Sequence, residues 1–329
     1  MPSRTKKYTS KKHTSRTKST SISKKKLEYP YYKLIYFPNK KRCYQLAASI
    51  SNKIEIHKST NEKIIVDDWK RNMELNQLTD LFTENCRVRC QFLGNPTPLQ
   101  YWQQHVKYSP GRPLKYYREQ IYRESKLCNN FRISLVITIL KMFNARRWLD
   151  ISAGWGDRLL GAILSPQLQY YCGVDPNPCV QAGYRKILDF FFGKEDKHKR
   201  TNYHLIQDGF ETARLPTGKT FDLVFSSPPF FDLETYSDVS SNSLTAFNTE
   251  EKWLHGFLLP SIVKASNVLE NGGHLILYIA ESKNTNYIPK MLEGVEKLDA
   301  SLKYNGKMFY RDSGTFSKLR DFYIWKKIS

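Results

Sequence analysis

From residue 115 to the C-terminus, apolar runs of strand length alternate with runs of helical spacing, and this alternation constrains the fold most. The strand-like runs are 147–152, 170–175, 203–207, 221–226 and 274–279. Helical patterns occupy 116–122, 157–164, 179–192 and 250–269, and Asn129-Asn130-Phe131-Arg132 is read as capping an apolar helix through Phe143. Strands and helices joined by short loops predict an α/β fold with a doubly wound, mostly parallel sheet. Two late strands, 303–310 and 321–328, follow a helix near 287–292. Such consecutive strands pair as an antiparallel hairpin or lie at the edge.

The upstream sequence is of two kinds. Residues 1–26 hold 10 Lys+Arg, no acid and no apolar periodicity, so a disordered basic tail is expected. Residues 27–114 read as an accessory α+β region with possible nucleic-acid contact. Within it, Tyr31–Phe37 reads as a strand, Asn39-Lys40-Lys41 as a turn, Asp67 to Phe82 as a helix, and Leu99–Trp102 as the start of a short helix. Aromatic and basic residues mix at Tyr101, Trp102, His105, Lys107 and Tyr108, which suits base stacking and half-buried packing equally. The third segment, 115–329, is the doubly wound domain.

With 52 Lys+Arg against 31 Asp+Glu, the chain carries a net charge of +21, and +11 remains once the tail is set aside. A polyanionic partner, first of all a nucleic acid, fits that balance. No apolar stretch reaches the roughly 20 residues of a membrane span, so no membrane association is expected. The N-terminus has no apolar core of a secretory signal. The six cysteines form no C-x-x-C pair and show no zinc spacing, so no metal is expected. Free thiols in a reducing, intracellular compartment are the expectation; cytoplasm and nucleus are not distinguished.

Four strand ends carry the chemistry. The run Asp150-Ile151-Ser152-Ala153-Gly154-Trp155-Gly156-Asp157 joins a strand to a helix through a small-residue turn, where a doubly wound sheet binds its ligand. Gly154 and Gly156 let the backbone pass close to a nucleotide-like group. Leu159 stands where a dinucleotide loop has its third glycine, which disfavours a pyrophosphate. Asp175 ends the next strand, about 20 residues on, as an acid placed for vicinal ribose hydroxyls; Asn177 before Pro178 is the better helix cap and leaves Asp175 for ligand. Asp208-Gly209-Phe210 closes the third strand and offers a carboxylate to an exocyclic adenine amine, or is an ordinary Asp-Gly turn. Ser227-Pro228-Pro229-Phe230-Phe231 closes the fourth. Two prolines stop the ladder there and fix the backbone. The Ser227 side chain and the Pro228 carbonyl are then two acceptors for the hydrogens of an amino group, and Phe230 and Phe231 offer faces to a flat ring. Tyr236 follows and leads into a polar loop, 237–249, a candidate lid.

Taken together, these motifs resemble those of class I S-adenosylmethionine-dependent amino methyltransferases, and in particular viral-type DNA adenine-N6 and cytosine-N4 methylases with D-x-S-A-G-W-G-D-R-L and S-P-P-[FY]-F-D-L-E stretches. The resemblance covers about 115–329. It implies a Rossmann-like, seven-stranded fold with S-adenosyl-L-methionine as cofactor. Asp150, Ser152, Ala153, Gly154, Gly156, Asp175, Asp208, Gly209 and Phe210 would hold that cofactor. Ser227, Pro228, Pro229 and Phe230 would be catalytic, with Phe231 and Tyr236 on the substrate. Cys128–Arg132 lies where such proteins carry the segment beside the methionine. The serine form of the motif is common in cytosine-N4 enzymes, while adenine-N6 enzymes usually carry Asp or Asn, so the base stays open. The resemblance favours DNA as partner; the alternatives are an RNA or cap-guanine N-methyltransferase and a non-catalytic nucleic-acid-binding subunit. Oligomeric state is left open.

Overall fold

The fold is described by a computed structural model for residues 28–35, 39–67, 69–109, 111–193, 196–236, 242–312 and 318–329. The basic tail, 1–26, and the first part of the candidate lid, 237–241, lie outside the described residues.

In chain order, a 3-10 turn at Tyr32–Leu34 precedes helix α1 (Lys40–Ala48), strands β1 (Lys53–Ile56) and β2 (Lys63–Asp67), and the long helix α2 (Trp69–Arg87). The short strand β3 (Gln91–Phe92) and helices α3 (Pro98–Gln104) and α4 (Leu114–Glu124) follow. Next come α5 (Ile133–Met142), β4 (Arg147–Asp150), α6 (Asp157–Ile163), β5 (Tyr170–Val174), α7 (Pro178–Phe192), α8 (Lys197–Arg200) and β6 (Tyr203–Ile206). After β7 (Phe221–Ser226), β8 (Glu234–Thr235) and α9 (Ser243–Ala246), helix α10 (Glu250–Trp253) runs through a π-helical turn into α11 (Leu259–Asn267). The chain closes with β9 (Leu269–Tyr278), α12 (Ile288–Leu298), β10 (Leu302–Asp312) and β11 (Arg320–Lys327).

Among the described residues these strands build one nine-stranded sheet in the order β1-β2-β10-β11-β9-β7-β4-β5-β6. The block β9-β7-β4-β5-β6 is parallel. Strand β11 runs antiparallel to β9 and β10, as expected of a late hairpin. From β4 the chain winds outward through β5 and β6, then returns to place β7 on the other side of β4. That reversal opens a crevice at the carboxyl ends of β4 and β7, where ligands of such sheets bind.

The strands read as continuous apolar runs because helices cover both faces. Trp148, Leu223, Phe225 and Ile276 pack into the core under α2, α5, α6 and α7. Their chain neighbours Leu149, Val224, Leu275 and Leu277 pack with Trp253, Ile262 and Met291 on the opposite face. Alternate side chains of a strand point to opposite faces, so the two cores follow from the strand sequences alone. Gly183 sets the crossing of α7 with α2: a Cβ there would lie 2.4 Å from Thr83 Cγ2 and 2.9 Å from the Phe82 carbonyl oxygen.

Residues 27–114 do more than flank this domain. Strand β2 pairs in parallel with β10, and β1 pairs with β2, so the sheet is extended at that edge. Strand β3 pairs with β8, just after the Ser-Pro-Pro-Phe segment. Three expectations need correction. Tyr31–Phe37 does not begin as a strand: Tyr32 starts a 3-10 turn, its amide donates to Glu84 (2.6 Å), and its buried ring lies under Arg118. An aromatic run without polar alternation gave no pleat to follow. Asn39 is not a turn residue but the cap of α1, accepting from the Lys41 amide at 2.8 Å. The cysteines are not all free thiols: Cys86 is bonded to Cys179 and Cys90 to Cys128, while Cys43 and Cys172 are free and buried. The partners are 93 and 38 residues apart, so tertiary packing sets the pairing and no local spacing announces it. No helix among the described residues is long and apolar enough to cross a membrane.

Candidate active-site cleft

A cleft of about 1790 Å³ runs along the carboxyl ends of the sheet. Its first wall is the loop between β4 and α6. Gly154 and Gly156 have φ of +67° and +94°, a region that costs other residues about 1–2 kcal/mol. At Gly156 a Cβ would also sit 2.9 Å from Ile187 Cδ1. The loop is tied down on every side. Ala153 donates to the Val174 carbonyl (2.8 Å) and Gly154 to Asp175 Oδ2 (2.7 Å). The Tyr184 hydroxyl donates to the Gly154 carbonyl, and Thr83 of α2 donates to the Trp155 carbonyl (2.8 Å). Asp157, the first residue of α6, accepts from Thr79 (2.6 Å), Asn76 (3.2 Å) and the Phe131 amide (3.2 Å), and burial pushes its pKa up to about 7.

Of the residues expected on the cofactor, Ser152, Ala153, Gly154, Asp175, Asp208, Gly209 and Phe210 line this cleft. Asp150 and Gly156 are not among the lining residues. Asp150 is fully buried and accepts from Arg158 Nε (2.8 Å), the Tyr171 hydroxyl (3.0 Å) and the Ser226 hydroxyl (2.7 Å). Its carboxylate positions Arg158, which does line the cleft. Asp175 accepts one bond on each oxygen, from the Gly154 and Asn177 amides, and burial pushes its pKa up to about 6. Asn177 caps α7 through the Cys179 amide (3.0 Å), so Asp175 has no capping duty. Asp208 accepts from the Gly209 amide and Thr212 at 2.8 and 2.9 Å.

The second wall is the end of β7. Ser227, Pro229 and Phe230 line the cleft. No described residue bonds the Ser227 hydroxyl, and none donates to the Pro228 carbonyl, although Pro228 itself is buried. Phe230 meets Tyr278 edge to face with ring centres 5.6 Å apart. Phe131 meets the same tyrosine at 5.8 Å, so three rings form one side of the cleft. Phe231 departs from expectation: it packs against Trp253 (ring centres 5.8 Å apart) and does not line the cleft. Tyr236 lines the cleft beside Trp155, with Glu234 as neighbour; burial raises the Glu234 carboxyl pKa.

Sequence reasoning missed the floor supplied by α2. Asp80 accepts from Arg87 (2.6 Å), Arg118 (2.8 Å) and the Asn130 amide nitrogen (3.0 Å). Burial would raise its pKa, but the Arg87 and Arg118 charges outweigh that and hold the carboxyl below its usual value. Asn129 and Asn130 therefore do not cap α5, whose cap position is Arg132. They line the cleft, along with Phe131 and Arg132. The i, i+3, i+4 spacing of Asn76, Thr79, Asp80 and Thr83 was the available signal for a polar face on α2.

No family model matches the chain, and no curated protein matches it. Among solved structures the chain is similar to an rRNA methylase from Streptococcus thermophilus, with 17% identity, 61% of this chain and 99% of that chain covered, and a TM-score of 0.38. It is similar to TrmN from Thermus thermophilus, with 15% identity, 66% and 54% covered, and a TM-score of 0.40. It is also similar to the N-methyltransferase NodS from Bradyrhizobium japonicum WM9 in complex with S-adenosyl-L-homocysteine, with 11% identity, 60% and 86% covered, and a TM-score of 0.38. Likenesses this distant carry no argument about chemistry.

Proposed function

We propose that this chain is an S-adenosylmethionine-dependent methyltransferase acting on an exocyclic amino group of a nucleic-acid base. One observation carries the reading: Ser227, whose hydroxyl has no partner among the described residues, lines with Phe230 the same cleft as the glycine loop and Asp175. The residues present fit a nucleoside cofactor. Gly154 leaves room for close backbone approach at the cleft, and each Asp175 oxygen accepts one bond from the described residues. Asp175 would take the ribose hydroxyls, and Asp208 with Phe210 the adenine. When bound, this cofactor would supply an electrophilic methyl on a sulfonium that is its own leaving group.

The protein's task is then positioning. Ser227 and the Pro228 carbonyl would accept the two hydrogens of the target amine, which aims the nitrogen lone pair across the cleft. Phe230 would hold the base by stacking, worth about 1–3 kcal/mol. In duplex substrates the base must first leave the stack, at a few kcal/mol. The net charge of +21 suits a phosphate backbone. The resemblance to viral-type methylases makes DNA, at adenine N6 or cytosine N4, the first substrate to test and RNA the second. The test is incubation with methyl-labelled cofactor and separate DNA, RNA and protein pools. Label in a nucleic-acid pool is expected; label in protein alone overturns the substrate class, and label in no pool overturns the activity.

A further inference from the structure

We propose that Arg158 is a carboxylate subsite: the outer two nitrogens of its guanidinium hold the α-carboxylate at the amino-acid end of the ligand whose ribose Asp175 takes. The inference rests on the methyltransferase reading above and deepens it.

An arginine carries five N–H donors in a rigid fork. In Arg158, Nε donates to Asp150 Oδ2, and no described residue accepts from Nη1 or Nη2. The side chain is only 5% exposed, and it borders the cleft. Its outer nitrogens are not among the sealed, partnerless polar atoms of the fold, so they open on that cleft. Buried donors almost always find partners, and four unmatched ones on one guanidinium point to an acceptor from outside the chain.

The fork is also held still. Asp150 is tied by Tyr171 and Ser226, so the carboxylate that grips Nε cannot swing. The Phe131 ring lies 5.3 Å from the guanidinium carbon. The glycine loop passes beside the fork: a Cβ on Gly154 would sit 3.5 Å from Nη2, an ordinary contact distance. Arg158 also counts among the charges that act on Asp175. The two ends of one ligand would thus lie within electrostatic reach of each other.

The acceptor is a carboxylate rather than a phosphate for a local reason. A phosphate seeks the N–H groups at a helix start. Here Leu159 occupies the third-glycine position, which disfavours a phosphate-cradling loop. A planar carboxylate matches the paired Nη donors instead, and lysine cannot reproduce that bidentate fit.

The test uses calorimetry with two probes that differ in one group, S-adenosylhomocysteine and its decarboxylated form, on the parent and on Arg158→Lys. The parent is expected to bind the decarboxylated probe at least about tenfold more weakly. Arg158→Lys should lose about tenfold or more on S-adenosylhomocysteine while changing little on the decarboxylated probe. Equal parent affinities for the two probes overturn the subsite, and this comparison decides the matter even if the variant does not fold. Equal losses on both probes reduce Arg158 to a structural role and also overturn it. A parent that binds neither probe overturns the cofactor reading beneath it.

Discussion

Replacing Asp175 by Asn separates the cost of its charge from its use. Burial raises the Asp175 pKa to about 6, against about 3.9 in an unfolded chain. The fold therefore favours the protonated acid. The stability this group contributes is complete below about pH 4 and is lost as the pH rises through 6. A shift of about two units corresponds to about 3 kcal/mol at pH 7. An amide does not titrate, so the stability of Asp175→Asn relative to the parent should rise by about that much between pH 4 and pH 7. A constant penalty lies beneath this change. The amide oxygen can accept from only one of the Gly154 and Asn177 amides, and a lost buried partner costs about 1–3 kcal/mol. Ligand binding should move the other way. The ionised acid would take ribose hydroxyls through bonds worth about 1.5–3 kcal/mol each, so the variant should bind S-adenosylhomocysteine at least about tenfold more weakly at pH 7.5. Urea melts at pH 4, 5.5 and 7, with calorimetry at pH 7.5, read both effects. Parallel stability curves across pH would refute the burial argument, and unchanged affinity would refute the ribose assignment.

Further outcomes follow from other parts of the cleft. Ser227→Ala should keep the parent's thermal midpoint, because its hydroxyl has no partner among the described residues, yet slow single-turnover transfer by up to about 10²-fold; a variant that loses midpoint and activity together was only packing the strand end. Phe230→Leu should weaken productive binding of the base while Phe230→Tyr preserves it, and equal transfer by the Leu variant contradicts stacking. Gly183→Ala should cost about 1–3 kcal/mol in urea melts by pressing α7 on Thr83, and should weaken cofactor binding, because Thr83 holds the Trp155 carbonyl; unchanged affinity would uncouple α2 from the loop. Complete reduction should lower stability by about 4 kcal/mol for each of the two cross-links, as their loop lengths imply, whereas thiol titration of the unreduced, denatured chain should detect Cys43 and Cys172 alone. Six titrating thiols would contradict the pairing.

The parallel strands were legible because burial on both faces writes itself as short apolar runs, as in Leu223-Val224-Phe225. Their carboxyl ends carry small or polar residues, and the fold brings the Gly154, Asp175, Asp208 and Ser227 segments to one cleft. What stayed hidden depends on long-range placement. The hairpin of β1 and β2 is ordinary in sequence, and only its pairing with β10 shows that it belongs to the sheet. The polar face of α2 has no meaning until Thr79 and Thr83 are seen against Asp157 and Trp155. Arg158 reads as a helix residue until Asp150 is found to take only one of its nitrogens. Phe231 shows the limit of motif reading, since adjacency to Phe230 did not bring it to the cleft.

The atom that receives the methyl group tests the central claim most directly. Nucleic acid treated with the protein and methyl-labelled S-adenosylmethionine would be hydrolysed to nucleosides and resolved by mass spectrometry. The Ser227-Pro228 arrangement predicts label on an exocyclic nitrogen, as N6-methyladenine or N4-methylcytosine, with Ser227→Ala depleting that product. Label on a ring carbon, a ribose oxygen or a ring nitrogen would contradict it.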